Sequence, residues 1–298
     1  MKVLVSGASG FLGRRLVERL VANGEDVVAL SRNHPPATQS SHPQIQWITL
    51  DLATDAQVLK DLPEIHAVVH LAGATLGAGQ DENRFLRENE QTTVLLCREL
   101  ASRTQHFIYA SSQVVYGDAR HLEVTEDFPI SPVGSAYACS KVNSENWLRW
   151  FQSRYGGQYT ILRFCGFLEG GGIIDYIIQR ALTGQPINLF SDGEVRRDYL
   201  PVSSAVDAMV AALNYSTIPG FLPINIGSGQ AIPAEEMAKS ICSAVNSTSQ
   251  INLLAEPAPQ GDFVFAVDRA RQLLNFAPGR LMDDIRQYAK MRQIESGG

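Results

Sequence analysis

Tyr137 and Lys141 stand four residues apart in the segment Ser135-Ala-Tyr-Ala-Cys-Ser-Lys141. On a helix, residues i and i+4 lie one above the other on a single face, so a phenol and an ammonium would share one small volume. A free tyrosine titrates near pH ~10, and a cation within a few ångströms favours its phenolate by about one to three units. The pair thus offers an acid/base able to move a proton to or from a sugar or alcohol oxygen near neutral pH. The same spacing also describes an ordinary surface pair on a helix. The elements around it decide between the two.

Lys2-Val-Leu-Val-Ser6 is a short apolar run rich in β-branched residues, as a buried parallel strand requires. It leads directly into Gly7-Ala-Ser-Gly10-Phe-Leu-Gly13, and then into Arg14–Asn23, where Leu12, Leu16, Leu20 and Val21 keep helical spacing. Asn23-Gly24 supplies a stop signal. A glycine-rich turn between a strand and a helix start is the setting in which such glycines bind a dinucleotide. Gly7 permits the tight turn, Gly10 lets the backbone approach a diphosphate, and Gly13 lets helix and sheet pack closely. The N–H groups of the helix start are the donors for that anion. Because the first residues already form the strand, no leader peptide is expected.

The next strand, Val27-Val-Ala-Leu30, ends in Ser31-Arg32-Asn33. A site selective for NAD places an acidic residue there for the ribose hydroxyls, and this chain has none. Arg32 can instead pair with a 2′-phosphate, with Ser31 adding a hydroxyl donor. The expected cofactor is therefore NADP(H), with NAD(H) the less favoured choice.

Taken together, these residues resemble the extended short-chain dehydrogenase/reductase family of NAD(P)-dependent nucleotide-sugar epimerases, dehydratases and reductases. The resemblance runs over essentially the whole chain. The glycine motif has the family's spacing. Asp51-Leu52, after the strand Ile45–Leu50, is similar to the pair that contacts the adenine. His70-Leu-Ala-Gly73 closes the strand Ala67-Val-Val, and Asn89, ahead of a helix over 92–101, matches a family asparagine near the cofactor. Tyr109-Ala-Ser-Ser-Gln-Val-Val-Tyr-Gly117 resembles the fifth-strand motif, whose second serine is Ser112 here. Arg197-Asp-Tyr199, Asn225-Ile-Gly-Ser-Gly229 and Gly261-Asp262…Asp268 echo later signatures in order and spacing.

The resemblance implies a catalytic trio. Ser112 orients the substrate oxygen, Tyr137 exchanges its proton, and Lys141 holds the cofactor ribose and lowers the phenol's pKa. It implies a cofactor set of Gly7, Ser9, Gly10, Phe11, Leu12 and Gly13, then Ser31 and Arg32, Asp51 and Leu52, and Leu71, Ala72 and Gly73. Asn89, Ser111, Tyr137, Lys141 and Phe164 complete that set. Toward substrate it implies Ser112, Gly166, Arg197 and Asn225, and it implies no metal.

Composition sets outer limits. With 298 residues, 45% hydrophobic and 19% charged, the chain can bury a substantial core and is expected to form two lobes. No apolar run approaches the ~20 residues of a membrane helix. Cys97, Cys139, Cys165 and Cys242 lack metal-ligand spacing, which suits a reduced, cytoplasmic setting. Cys139, two residues past Tyr137, should point away from it. A net charge of −6 argues against nucleic acid as a partner.

Alternating strand and helix signals over 1–165 predict an α/β fold, a Rossmann-type doubly wound parallel sheet that binds NAD(P). Residues 166–298 are expected to form a smaller α/β substrate lobe, with the stretch near 223–229 returning to the large sheet. Ligands of such sheets bind at the carboxyl ends of the strands, which predicts a substrate cleft between the lobes. Asn33–Pro43 reads as a surface loop. Leu95, Leu96 and Leu100, with Trp147, Leu148 and Phe151, are candidates for a homodimer face or for ordinary core packing.

Three departures from the family bear on substrate. Gly166 stands where many of these enzymes carry an asparagine, Glu256–Asp262 offers no cation ahead of its Gly-Asp, and Pro201 replaces a histidine. Arg197 is then the main candidate to grip a sugar-nucleotide diphosphate. The favoured reading is an NADP(H)-dependent reductase of a nucleoside-diphosphate keto-deoxysugar. The alternatives are a nucleotide-sugar 4-epimerase with retained cofactor, and a cofactor-sensing protein with a decayed site.

Overall fold

The computed structural model describes residues 1–33, 42–54, 56–76, 81–117, 121–132, 134–215 and 220–297. The loop expected over 33–43 lies mostly outside them. The chain divides into two compact units. The first comprises Met1–Gly117, Pro129–Phe164 and Val206–Ile224, and the second Asp118–Phe128, Cys165–Ala205 and Asn225–Gly298.

The first unit is a Rossmann-type α/β layer. Strands β1 (Lys2–Ser6), β2 (Asp26–Ser31), β3 (Ile45–Thr49), β4 (Ala67–His70) and β5 (His106–Ser112) are all short. β6 (His121–Val124) belongs to the second unit, and the sheet resumes with β7 (Gln158–Phe164). A seventh strand over Gly220–Ile226 gives the order 220–226, β7, β5, β4, β1, β2, β3. The pairs β1–β2, β1–β4, β2–β3, β4–β5 and β5–β7 are parallel. The order reverses between β1 and β4, the switch point at which sheets of this class bind ligands.

Both faces of β1 are buried, so Val3, Leu4 and Val5 are fully enclosed and an unbroken apolar run is what the position demands. Helix α1 (Phe11–Ala22) buries Leu16, Val17 and Leu20, the helical-period residues, and ends as expected at Asn23, with Gly24 at φ +82°. The short α2 (Glu82–Phe85) runs into a π-helical stretch, Leu86–Gln91, and then α3 (Thr92–Leu100). The helix expected over 92–101 is α3, and the helical stretch over 82–91, which carries Asn89, precedes it without a break. Helix α4 (Ala136–Tyr155) is capped by Ser135, whose hydroxyl accepts from the Ala138 N–H at 3.3 Å.

Of the six residues offered for a homodimer face or for core packing, four lie in this core. Leu96, Leu100, Leu148 and Phe151 are buried with Leu4, Val68, Phe107 and Tyr159, and Leu95 packs against them. Apolar residues at helical spacing on α3 and α4 face inward because that stripe is what docks a helix on the sheet. Trp147 alone of the six is exposed, at 41%.

The second unit holds three two-stranded parallel sheets. β6 pairs with a strand over Phe263–Phe265, β8 (Gly166–Phe167) with one over Tyr199–Leu200, and β9 (Ile187–Leu189) with one over Ile251–Leu253. Its core gathers Ile174, Ile177 and Ile178 of α5 (Ile173–Leu182) with Met237 and Ile241, and with Leu281 and Ile285. Among the described residues no helix is long and apolar enough to cross a membrane, and no group of three metal-binding side chains occurs.

Candidate active site

The glycine turn is built by close backbone packing. Gly7 has φ +68°, and a Cβ there would meet the Ala72 nitrogen at 2.8 Å. A Cβ on Gly13 would fall 2.1 Å from the Gly7 carbonyl oxygen. Neither position can carry a side chain. Helix α1 begins at Phe11 and Leu12 with Gly10 as N-cap, no capping side chain and no acidic residue in its first turn. That arrangement suits a bound diphosphate, which the helix start stabilises.

Ser9 of the turn reaches the end of β2, where its hydroxyl lies 2.5 Å from that of Ser31. Arg32 follows, and its guanidinium is engaged. Nη1 lies 3.0 Å and Nη2 3.2 Å from the two carboxylate oxygens of Glu88. On the far side of β2, Asp51 accepts from the Ala53 N–H at 3.0 Å and Leu52 is buried, so this pair forms a tight turn after β3.

Beyond β4, Ser6 ties Leu71 and Ala72 to the first strand by accepting both N–H groups at 3.2 Å. His70 contacts the Ser6 hydroxyl at 2.6 Å and that of Thr93 at 3.0 Å. Burial, with a smaller effect of Lys141, pulls its pKa down to about 3, so the imidazole is a neutral brace. Asn89 lies beside Gly73, and its carboxamide accepts from the Ala74 N–H at 2.7 Å and donates to the Ser140 hydroxyl at 2.7 Å. Asn89, expected near the cofactor, fastens the loop after β4 to helix α4. The π-helical turn that carries it fits this purpose, since such bulges displace one residue out of helical register.

Helix α4 presents Tyr137, Lys141 and Glu145 along one face. Tyr137 packs with Ala74 and Phe85, and its hydroxyl hydrogen-bonds the side chain of Ser112. Ser112 stands at the end of β5 and also accepts from the Val114 N–H at 3.4 Å, capping the turn that follows. Lys141 donates to the Ala110 carbonyl at 2.9 Å, with its ammonium 4.7 Å from the Tyr109 ring centre and 5.8 Å from that of Tyr137.

The expected depression of the tyrosine pKa is reversed in this protein. Burial pushes Tyr137 up to about 12, and the Ser112 hydrogen bond offsets only part of it. Burial in a low-dielectric setting disfavours the charged phenolate and dominates. Burial also brings Lys141 down to about 8, while the Glu145 charge opposes the fall.

Glu145 belongs to a buried network. Arg163 of β7 binds it through Nε at 3.1 Å and Nη2 at 2.7 Å, and reaches the Tyr116 hydroxyl at 2.8 Å. Ser111 donates to the same carboxylate at 2.6 Å. Ser111, expected at the cofactor, is thus tied to this network. Phe164 is buried at the end of β7. Cys139 is exposed, while Tyr137 is buried. Glu145 was legible, four residues after Lys141 on the same helical face; Glu88 gave no such signal, because only folding brings it to Arg32.

The residues assigned to substrate belong to the second unit, except Ser112. Arg197 donates to the Gly261 carbonyl at 3.1 Å and stacks on Phe263 at 5.4 Å. Gly166 lies against the Tyr199 ring, which a Cβ would meet at 2.9 Å. Asn225 is fully buried and donates to the Val124 carbonyl at 2.9 Å. It therefore helps to hold the strand β6 in place.

A model of the NAD dependent epimerase/dehydratase family matches residues 3–227. The chain is 28% identical to the UDP-glucose 4-epimerase of Erwinia amylovora, covering 96% of this chain and 95% of that protein. It is 26% identical to the dTDP-4-dehydro-6-deoxyglucose reductase of Escherichia coli, covering 95% and 94%. The solved UDP-glucuronic acid 4-epimerase from Bacillus cereus, in complex with UDP-glucuronic acid and NAD, matches with a TM-score of 0.81. At 23% identity over 98% of this chain and 99% of that one, this last likeness is one of fold.

Proposed function

This chain belongs to the NAD dependent epimerase/dehydratase family, and from that premise we propose that it is a 4-epimerase of nucleotide sugars that keeps its nicotinamide dinucleotide bound through the reaction. The observation that carries this reading is the meeting of Ser112, Tyr137 and Lys141 at the carboxyl end of the sheet that bears the glycine turn.

The residues present fit such a cofactor. Gly7 and Gly13 close the turn by backbone packing, Gly10 is the glycine whose backbone a diphosphate would approach, and the uncapped start of α1 provides donors. Ser9 and Ser31 would hold the adenosine ribose, Asp51 and Leu52 would border the adenine, and Lys141 would bind the ribose nearest the nicotinamide. The nicotinamide, when bound, supplies the acceptor and then the donor of a hydride. Ser112 orients the sugar oxygen, while Tyr137 accepts its proton and afterwards returns it. Lys141 keeps an ammonium at neutral pH because Glu145 offsets part of its burial. That ammonium, 5.8 Å from the Tyr137 ring centre, would favour the phenolate against the burial that raises its pKa.

A reductase of keto-deoxysugar nucleotides is the second reading, favoured by the likeness to the Escherichia coli enzyme. A retained cofactor distinguishes the two. Protein purified through gel filtration should carry nicotinamide dinucleotide and turn over a UDP-sugar with none added. Turnover that requires added NADPH, with loss of one equivalent per product, would replace the epimerase by the reductase. A protein that binds cofactor and turns over no sugar nucleotide would be the decayed sensor. Arg197 as the diphosphate grip is tested in the same assay, where Arg197→Ala should raise KM more than it lowers kcat.

A further inference from the structure

The end of β2 carries Arg32 and no acidic residue, yet a carboxylate arrives there from another part of the chain. Glu88 sits on the π-helical turn whose next residue, Asn89, is tied to the loop after β4. β4 and β2 flank β1, so Glu88 lies across the carboxyl edge of the sheet, beside the glycine turn. Its side chain is only 8% exposed, while that of Arg32 is 51% exposed. Both carboxylate oxygens meet the two terminal nitrogens of Arg32, at 3.0 and 3.2 Å. Arg84 and Arg87, from the same helical stretch, approach one of those oxygens at 3.2 and 3.5 Å.

A 2′-phosphate is recognised by two parallel N–H donors of a guanidinium, the same edge that Glu88 occupies. Resting on the reading above, we propose that Glu88 selects the cofactor: by filling the fork of Arg32 it denies that fork to a 2′-phosphate and makes the site one for NAD(H). Displacing Glu88 would strip a buried carboxylate of its strongest counter-ion, a cost an incoming phosphate must meet before gaining anything. Burial raises the Glu88 pKa, but the hydrogen bond and charge of Arg32, followed by those of Arg84, outweigh it, so the group stays ionised at neutral pH. The preference expected from the sequence, NADP(H) through Arg32, is thereby inverted. The hydroxyls of Ser9 and Ser31 remain to meet an unphosphorylated ribose.

The test is a fluorescence titration of the full chain with NADH and with NADPH, comparing parent, Glu88→Gln and the double variant Glu88→Gln/Arg32→Ala. The parent should bind NADH more tightly. Glu88→Gln keeps the side-chain volume but releases Arg32, and should strengthen NADPH binding by about tenfold or more while leaving NADH nearly unchanged. The double variant should lose that gain. A far-UV melt confirms that each variant is folded; if Glu88→Gln is not, Glu88→Asp, whose shorter side chain weakens the contact, should shift the preference in the same direction. A parent that prefers NADPH, or a folded Glu88 variant whose preference does not move, overturns the proposal. A parent that binds neither cofactor overturns the nucleotide-binding reading itself.

Discussion

Replacing Glu145 by glutamine removes one charge and almost no volume, and its cost can be worked from the contacts. The parent carboxylate accepts from Arg163 Nε at 3.1 Å, from Arg163 Nη2 at 2.7 Å and from the Ser111 hydroxyl at 2.6 Å. Nε and Ser111 share one oxygen, while Nη2 takes the other. An amide has only one oxygen, so keeping the shared pair turns its NH2 group toward Nη2, donor against donor. The guanidinium, 3% exposed, is then a buried cation without its counter-ion. Breaking such a pair costs about 3–5 kcal/mol. At this chain length each kcal/mol lowers the melting temperature by roughly 2 °C, so the variant should melt about 6–10 °C below the parent. Thermal melts by circular dichroism measure this directly. The double variant Glu145→Met/Arg163→Met removes both buried charges together, and should recover more than half of the loss. If Glu145→Gln melts within about 2 °C of the parent, the network contributes no net electrostatic stability and the reasoning fails.

Tyr137→Phe should retain cofactor binding and lose turnover by about a hundredfold or more; near-full activity would remove the phenol from the chemistry. Gly13→Ala places a methyl 2.1 Å from the Gly7 oxygen, and should cost at least about 1–3 kcal/mol in urea unfolding together with most of the NADH affinity. An unchanged midpoint would mean that the turn relaxes. Lys141 titrates at about 8 when folded against 10.5 as a free side chain. The unfolded chain therefore binds more protons between those values, and this group's contribution makes stability rise with pH across that window. Urea midpoints of the parent should accordingly gain on those of Lys141→Met between pH 8 and pH 10, and parallel curves would contradict a depressed lysine.

Local rules account for the first unit. An apolar β-branched run, glycines at fixed offsets and leucines at helical spacing each constrain neighbours a few residues away, which is why β1, the turn and α1 were legible as one motif. The Tyr137–Lys141 spacing was legible for the same reason, since one helix face carries both. The leucines of α3 and α4 mark the limit of such reading. Their period identifies a buried stripe, but it cannot say whether the sheet or a second subunit does the burying.

What folding alone decided is electrostatic. Sequence places Lys141 near Tyr137 and predicts a depressed phenol, yet only the enclosed position determines that desolvation prevails. Arg32 reads as an open cation until Glu88, 56 residues away along the chain, fills its fork. Asn89, Ser111 and Asn225 carry side chains suited to ligands, and the fold commits each to a neighbour that no local pattern names. A charge or a carboxamide is defined by what surrounds it in space, and those surroundings come from distant segments that only the tertiary structure brings together.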